Sequence, residues 1–123
     1  MIQERSILKV TDNSGAKTVR CFRILGGSRK RYARIGDIVV ASVQVAEPRK
    51  QVKKKDIVYA LVVRQRQPWR RPDGSYVRFD DNAVVLIDKN KGEPKATRIF
   101  GPIPREIKEK GYNTIASLAE ELV

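Results

Sequence analysis

The sequence predicts a mainly β protein, a small barrel with a projecting β-hairpin and short helices at its C-terminal end. Short runs of β-branched and aliphatic residues recur through residues 1–100, and turn-forming residues separate them. Within Ile38–Val45, every second residue from Val39 onward is apolar, which is the period of a strand with one buried face. Apolar residues at helical spacing appear only after Phe100.

The predicted strands follow one another with turn signals between them. Besides 38–45, the runs with strand character are 7–10, 19–25, 57–63 and 84–87. Asp12–Gly15 is predicted to form a turn after the first strand, because Asp, Asn, Ser and Gly are residues that turns favour. Ile38–Val40 is apolar on both faces, as expected where a strand passes the crowded side of a closed barrel.

A basic hairpin is predicted between the last two strands, at roughly 64–79. Its tip is Pro72-Asp73-Gly74. Proline fixes φ for a turn, and Asp-Gly supplies the positive φ values that a tight reversal needs. We therefore expect Gly74 to adopt a positive φ.

The C-terminal part, 101–123, is predicted to be helical, and the whole chain, 1–123, is expected to be one domain with the barrel and its hairpin in 1–100. Pro104 suits the first turn of a helix that ends near Lys110, with Gly111 as its stop. Asn113 or Thr114 can cap a second helix. The apolar face of that second helix would consist of Ile115, Leu118, Ala119 and Leu122. We expect these helices to cover the open end of the barrel.

The charge balance favours a polyanionic partner. Lysine and arginine number 26 against 14 aspartates and glutamates, which gives a net charge of +12 and a pI near 10.2. Nucleic acid is the common partner of such a protein; a merely soluble basic protein is the alternative. A membrane surface would call for an amphipathic basic helix, which the sequence lacks, and no apolar run approaches the length of a membrane span. We expect a nucleic-acid partner and no membrane.

The sequence lacks most of the side chains that enzymes use. It holds no histidine and one cysteine, Cys21, which excludes imidazole catalysis, Cys/His metal frameworks and an internal disulfide. Cys21 lies in a strand-like run and is interpreted as a small buried apolar residue of a protein from a reducing compartment. The carboxylates of Asp80 and Asp81 leave a magnesium site open, although a polar pair at a strand end is the favoured interpretation. We predict no enzyme, no metal and no cofactor.

Basic residues cluster in three predicted loop regions, which are the candidate RNA-binding sites. Residues 17–34 hold seven cations and no acid, residues 49–55 form a second cluster, and the hairpin forms a third, with Trp69 beside its arginines. Arginine forms paired hydrogen bonds with phosphate, and aromatic rings stack on unpaired bases. The candidate RNA-binding residues are Lys17, Arg29, Lys30, Arg31, Tyr32, Arg34, Arg49, Lys53, Lys54, Arg64, Arg66, Arg70, Arg71 and Arg78. We expect loop arginines such as Arg70 and Arg71 to be exposed and to contribute little to folding; the alternative for each cluster is a solvated charged face.

One long pattern resembles a known family. Ala60–Val63 is followed after nine residues by Asp73-Gly74, then after four residues by Phe79, then by Asn82 and by Val85-Leu86. These elements and spacings resemble the signature of the large-subunit ribosomal protein fourteen family of bacterial type. Further stretches that look like the family are 1–3, 12–16, 26–33, 36–37, 52–54, 97–102, 105–106 and 117–119, so the resemblance spans essentially the whole chain.

The chain departs from the family pattern at a few positions. Lys55 stands where the family usually has a glycine before Asp56, and Gln65–Trp69 is an unusual filling of the hairpin. Glu120 replaces a proline, so the last helix is expected to run on further.

The resemblance implies a closed five-stranded β-barrel and a structural, non-enzymatic protein of the large ribosomal subunit. It implies binding to large-subunit rRNA at the face that meets the small subunit, with ribosomal proteins nineteen and three as neighbours. It also implies that Glu47, Pro48 and Arg49 approach small-subunit rRNA, and that Thr97 and Arg98 belong to the docking region of a ribosome silencing factor. The location implied is the cytoplasmic ribosome, with an organellar ribosome left open. A free-standing small-barrel RNA chaperone or translation factor is the second interpretation, and an enzyme is the last.

Overall fold

The structure is a computed structural model that describes residues 2–26, 31–50, 52–88 and 93–123. It is mainly β, and its centre is a closed barrel of five strands. The elements in chain order are β1 (Ile7–Val10), β2 (Ala16–Ile24), β3 (Ile38–Ala46), β4 (Ile57–Arg64), β5 (Trp69–Arg70), β6 (Tyr76–Val77), β7 (Ala83–Ile87), β8 (Ile99–Ile103), α1 (Glu106–Glu109), α2 (Asn113–Leu118) and β9 (Ala119–Leu122). The predicted fold class, a small five-stranded barrel with a hairpin and short helices, is confirmed.

The barrel closes in the strand order β1-β2-β3-β4-β7. All neighbours are antiparallel except β1 and β7, which run parallel with Lys9 opposite Ala83 and Val10 opposite Val84. Backbone bonds complete this seam: the Lys9 amide donates to the Asn82 carbonyl at 3.0 Å, and the Thr11 amide donates to the Val84 carbonyl at 3.1 Å. Closure leaves no unpaired edge in the barrel wall, which is why strands this short are stable.

Alternation along the strands fills the barrel interior. Val39, Ala41 and Val43 of β3 are buried as predicted, and Cys21 of β2 is fully buried, which confirms its interpretation as a small apolar core residue. Val45 is 48% exposed, although the sequence predicts it on the buried face. The register of β2 shifts opposite this end of β3, and such irregularities twist the strand and interrupt the two-residue period.

Strands β4 and β7 are buried along most of their length, β7 at every residue. The apolar cluster of the barrel extends beyond these strands: Ile107 and Ile115 of the helices belong to it, and Trp69 of the hairpin packs against it. Strands enclosed on both faces carry near-continuous apolar runs. This accounts for the apolar runs 58–63 and 83–87, whereas Ile57 at the start of β4 is 67% exposed.

The predicted hairpin is present. Its short ladder pairs Trp69 and Arg70 with Val77 and Tyr76, and backbone bonds continue on both sides of it, from the Arg71 amide to the Ser75 carbonyl at 2.8 Å and from the Phe79 amide to the Gln65 carbonyl at 3.0 Å. The turn is closed by the Gly74 amide, which donates to the Arg71 carbonyl at 3.0 Å, and Gly74 has the predicted positive φ, +91°. A three-residue loop with a left-handed glycine in its last position is a common hairpin turn.

The C-terminal part differs from the predicted pair of helices. Helix α1 covers only Glu106–Glu109, and α2 ends at Leu118 instead of running on past Glu120. Neither Asn113 nor Thr114 is the N-cap of α2; Tyr112 precedes the helix without a side-chain cap.

The predicted apolar helical face is wrong in its second half. Ile115 is buried, but the chain becomes extended at Ala119, and β9 pairs in parallel with β8, with Ala119 opposite Ile99 and Leu122 opposite Ile103. Strand pairing satisfies the backbone of 119–122 with a partner far away in the sequence, and such tertiary pairing overrides local periodicity. Among the described residues, no helix is both long and apolar enough to cross a membrane.

Candidate nucleic-acid interface

The loop between β3 and β4 presents the second basic cluster. Val52 is buried and anchors the loop, while Arg49, Lys53 and Lys54 are exposed. The Asp56 carboxylate accepts a hydrogen bond from the Lys53 amide at 3.0 Å, which holds the turn that carries the lysines. Lys55, the residue that replaces a family glycine, has a φ of +73°. The left-handed backbone at this position explains why a glycine suits it.

The first basic cluster is split between β2 and the segment that leads to β3. Lys17 is exposed on β2, and Arg31, Tyr32 and Arg34 are exposed beyond it. Buried Ala33 fixes this segment, since its amide donates to the Ile2 carbonyl and its side chain is fully enclosed. Two predicted contact residues, Arg29 and Lys30, lie outside the described residues.

Two exposed cations on β2 are missing from the candidate list drawn from the sequence. Arg20 and Arg23 are both exposed, and Arg20 lies opposite Ile7 of β1 and Ser42 of β3. Alternation from the buried Val19 and Cys21 places Arg20 on the outer face, so the strand period was the signal that could have found it. Arg23 follows a register shift, which no sequence pattern indicates.

The third cluster, on the hairpin, contains both exposed and enclosed arginines. Arg66, Arg70 and Arg78 are exposed as predicted. The side chain of Arg64 is only 11% exposed, and its Nε lies 3.5 Å from Asp81 Oδ1. A Cβ added at Gly101 would collide with the Arg64 guanidinium. Arg64 is therefore packed at the base of the hairpin.

Arg71 is likewise not the exposed arginine that the sequence predicts. Its side chain is 11% exposed, and its Nε donates to Glu106 Oε1 at 2.8 Å. Its Nη2 donates to the backbone carbonyl of Val123 at 2.7 Å. Arg71 ties the hairpin tip to α1 and to the last residue of the chain, because its planar fork reaches both acceptors at once.

The unusual 65–69 segment has a structural role in the hairpin. Gln65 is buried; its Oε1 accepts from the Ile35 amide at 3.2 Å, and its Nε2 donates to the Gln67 carbonyl at 2.8 Å. Trp69 stacks on Phe79 with ring centroids 5.9 Å apart and an interplanar angle of 28°. The hairpin, the Arg34 segment and α1 leave between them a cleft of about 530 Å³, which we call the Trp69 cleft.

The residues predicted to contact proteins or the small subunit are brought together by the turn after β1. The Glu47 amide donates to the Gly15 carbonyl at 2.7 Å, and Asn13 Oδ1 accepts from the amides of Thr97 and Arg98, each at 3.1 Å. We call this surface the Asn13 ridge; it consists of Asn13, Gly15, Glu47, Pro48, Arg49, Thr97 and Arg98. All of these residues except Gly15 are exposed.

Asp12 holds the base of the Asn13 ridge on the barrel. Its Oδ1 accepts from the Ser14 hydroxyl at 2.6 Å, and its Oδ2 accepts from the Leu86 amide at 3.0 Å. Burial raises the pKa of the Asp12 carboxyl above its ordinary value, although these hydrogen bonds act in the opposite direction. The side chain fixes a turn; it is enclosed and does not face solvent.

The acidic pair Asp80-Asp81 fits the favoured interpretation of a polar pair at a strand end. Asp81 follows the hairpin and forms ion pairs with Arg64 at 3.5 Å and with Lys9 at 3.9 Å. Within the part of the chain that the structure describes, no three His, Cys, Asp or Glu side chains group closely enough to hold a metal ion.

The fold and the charges of its loops define a class of protein, the small basic β-barrels that present cations on projecting loops and bind nucleic acids. Comparison with known families is more specific. The model of the family of ribosomal protein L14p/L23e matches residues 1–123, and the chain belongs to this family. It is accordingly a structural protein of the large ribosomal subunit, associated with rRNA and other ribosomal proteins, in a family that is not enzymatic.

Proposed function

We propose that this chain holds large-subunit rRNA through three basic surfaces and meets the small subunit through the Asn13 ridge. The observation that carries the proposal is the exposure of cations on separate loops around a barrel with a net charge of +12. The proposed contacts with exposed side chains are Lys17, Arg31, Tyr32, Arg34, Arg49, Lys53, Lys54, Arg66, Arg70 and Arg78. Arg29 and Lys30 are proposed contacts from the sequence alone, and Arg64 and Arg71 position the hairpin.

Binding of this kind depends on phosphate. Each Lys or Arg that neutralises a phosphate releases a counterion, so affinity falls steeply with salt. Paired RNA hides its base edges in a deep major groove, and proteins recognise it mainly by shape and backbone. We therefore expect the isolated chain to prefer folded rRNA fragments by shape and to discriminate poorly between sequences.

The Asn13 ridge suits contacts of a different kind. Glu47, Pro48 and Arg49 are proposed to approach small-subunit rRNA, and Thr97 and Arg98 to receive a ribosome silencing factor. Phe100, 47% exposed one residue beyond Ile99, adds apolar surface beside Arg98. Interfaces between proteins are enriched in arginine and aromatic residues. Ribosomal proteins nineteen and three are the proposed protein neighbours, and the cytoplasmic ribosome is the proposed location, with an organellar ribosome as the alternative.

The test is salt-dependent binding to large-subunit rRNA fragments. Neutralisation of on the order of 6–10 phosphates predicts an affinity that falls by about 10³–10⁵ between 50 and 200 mM salt. Lys53→Glu and Arg66→Glu should each weaken binding, whereas Lys108→Glu, an exposed cation on α1 outside the three surfaces, should change it least. An affinity insensitive to salt would refute the proposal.

Sedimentation tests whether the rRNA contacts are stable, which separates them from the transient visits of the RNA chaperone that the sequence alone left open. A structural ribosomal protein sediments with large subunits, whereas a transient RNA-binding factor washes off. Loss of this chain from sedimented subunits would contradict stable rRNA contacts.

A further inference from the structure

The Trp69 cleft has the composition of a binding site, and it lies where the first and third basic surfaces meet. Its volume, about 530 Å³, lies within the range of small-molecule sites. The residues that line it are Arg34, Ile35, Gln65, Gln67, Pro68, Trp69, Arg70, Glu106 and Lys110. Aromatic and aliphatic surface thus lies beside three cations.

The walls of the cleft are fixed by hydrogen bonds between its three segments. Buried Gln65 joins the Ile35 amide, at 3.2 Å, to the carbonyl of Gln67, at 2.8 Å. From the opposite side, Lys110 Nζ donates to the Ile35 carbonyl at 3.1 Å. The Trp69 cleft is therefore preorganised, which lowers the entropic cost of binding a ligand there.

Trp69 supplies a rigid aromatic surface in the cleft. It stacks on Phe79 at 5.9 Å and packs against the core cluster, so its ring is held in place. Its indole Nε1 is buried and has no hydrogen-bond partner among the described residues. Buried polar atoms without a partner are uncommon, so packing, not a hydrogen bond of Nε1, holds the Trp69 ring in place.

The charge at the cleft favours an anion. Arg34 and Arg70 are exposed, and neither forms an ion pair with a described residue. The one acid in the lining, Glu106, is already engaged by Arg71 at 2.8 Å. A ligand that combines a flat ring with an anion matches this arrangement, and a nucleotide is such a ligand.

We propose that the Trp69 cleft binds one unpaired nucleotide, with its base stacked on Trp69 and its phosphate paired with Arg34 or Arg70. The inference rests on the proposed RNA binding and adds to it a defined cleft in which a base, and not only the phosphate backbone, is recognised. The same chemistry is offered by a base bulged out of rRNA and by a free mononucleotide. The experiment has an arm for each.

Trp69 is the only tryptophan of the chain, so its fluorescence reports on the cleft directly. The full-length protein is titrated with an RNA hairpin that carries one bulged nucleotide, with the same hairpin fully paired, and with AMP, GMP, CMP and UMP. We expect saturable quenching by the bulged RNA and, because a stacked base adds binding energy, an affinity on the order of tenfold above that of the paired RNA. Inorganic phosphate should leave the fluorescence unchanged.

Variants separate the base from the backbone contacts. Binding of labelled RNA is measured by anisotropy, which does not depend on tryptophan. Trp69→Leu should remove the preference for the bulged RNA while the paired RNA binds within about twofold of wild type, and Trp69→Tyr should restore most of the preference because tyrosine also stacks. Arg70→Gln should weaken the bulged RNA more than the paired RNA. Arg78→Gln, an exposed hairpin arginine outside the cleft lining, should weaken both equally.

The outcomes distinguish the two proposals. Equal binding of bulged and paired RNA with unchanged fluorescence refutes the nucleotide site and leaves the proposed rRNA binding intact. Failure to bind either RNA refutes both. Quenching by mononucleotides without any preference for the bulge supports the site and assigns it to free nucleotides. Thermal unfolding of Trp69→Leu is measured in parallel, and Trp69→Tyr decides the result if the leucine variant does not fold.

Discussion

At the scale of single residues, the cations of this chain divide into those that face solvent and those that hold the fold. Arg70 and Arg71 are neighbours in the sequence and look equivalent there, yet one is exposed and the other is enclosed by Glu106 and Val123. No local pattern separates them, because the partners of Arg71 come from the far end of the chain. Sequence reasoning identifies the cluster and cannot assign the role of each member.

Arg71→Ala is expected to destabilise the protein by about 1–3 kcal/mol, because it removes charge-assisted hydrogen bonds and leaves Glu106 without its partner. Partial exposure of Glu106, whose side chain is 25% exposed, keeps the loss at the lower part of this range. Arg70→Ala, the matched control, should stay within about 0.5 kcal/mol of wild type. Urea unfolding measures both; equal effects of the two variants would contradict the assigned roles.

Lys55 matters through its backbone conformation, which has a φ of +73°. A residue with a side chain costs about 1–2 kcal/mol in the left-handed region. Glycine removes this strain, but its greater freedom in the unfolded chain offsets part of the gain in stability. Lys55→Gly is therefore expected to raise the free energy of unfolding by about 0.5–1 kcal/mol. Lys54→Gly removes the same charge from the same loop at a negative φ and should lower it by a similar amount. Thermal unfolding compares the stabilities of the two variants. A change of both stabilities in the same direction would show that the lost charge, and not backbone strain, determines the effect of Lys55→Gly.

At the scale of elements, the strands of the barrel are predictable and the end of the chain is not. Val39, Ala41 and Val43 alternate with polar residues, and β4 and β7 are continuous apolar runs, so strand character is encoded locally. Strand β9 has no such signal, because its register is set by β8. The pattern of Ile115 and Leu118 predicts a helix correctly up to the residue where pairing with β8 begins.

The Trp69 cleft lies beyond sequence prediction for the same reason. Its lining comes from three segments that are far apart in the chain, 34–35, 65–70 and 106–110. The sequence marks 65–69 as an unusual segment and places Trp69 beside arginines. The hydrogen bonds of Gln65 and Lys110 to Ile35, which create the cleft, depend on tertiary packing.

The hairpin turn gives a prediction at this scale. Gly74 has a φ of +91°, and a Cβ added there would meet nothing within 4 Å. The cost of Gly74→Val is therefore conformational, on the order of 1–2 kcal/mol or more for a β-branched residue. The turn should distort and incorporation into ribosomes should fall. Gly74→Asn should reduce incorporation less, because asparagine adopts the left-handed region more readily than valine. Quantitative mass spectrometry of purified ribosomes measures incorporation; wild-type levels of the valine variant would mean that the turn tolerates side chains or that the hairpin is dispensable.

At the scale of the whole molecule, charge is distributed unevenly between the barrel and the C-terminal part. Residues 106–123 hold four acids and two lysines, whereas residues 17–34 hold seven cations and no acid. The basic loops and the hairpin suit contact with phosphate, and the acidic C-terminal part does not. The Asn13 ridge combines residues of the β3–β4 loop with Thr97 and Arg98, so one surface offers both a basic loop and the proposed docking site for a protein partner.

A substitution of Arg98 tests whether the Asn13 ridge receives a protein partner separately from the rRNA-binding surfaces. Its backbone amide is held by Asn13 at 3.1 Å while its side chain is exposed, so Arg98→Glu should leave the fold and assembly into large subunits intact. Because truncation of a central interface arginine often costs more than about 1 kcal/mol, charge reversal should weaken binding of the silencing factor at least about fivefold. Lys108→Glu makes the same change of charge on α1 and serves as the control. Large subunits that carry each variant are purified and used to pull down the factor. Equal recovery with wild-type and Arg98→Glu subunits would mean that Arg98 borders the barrel and contacts no partner.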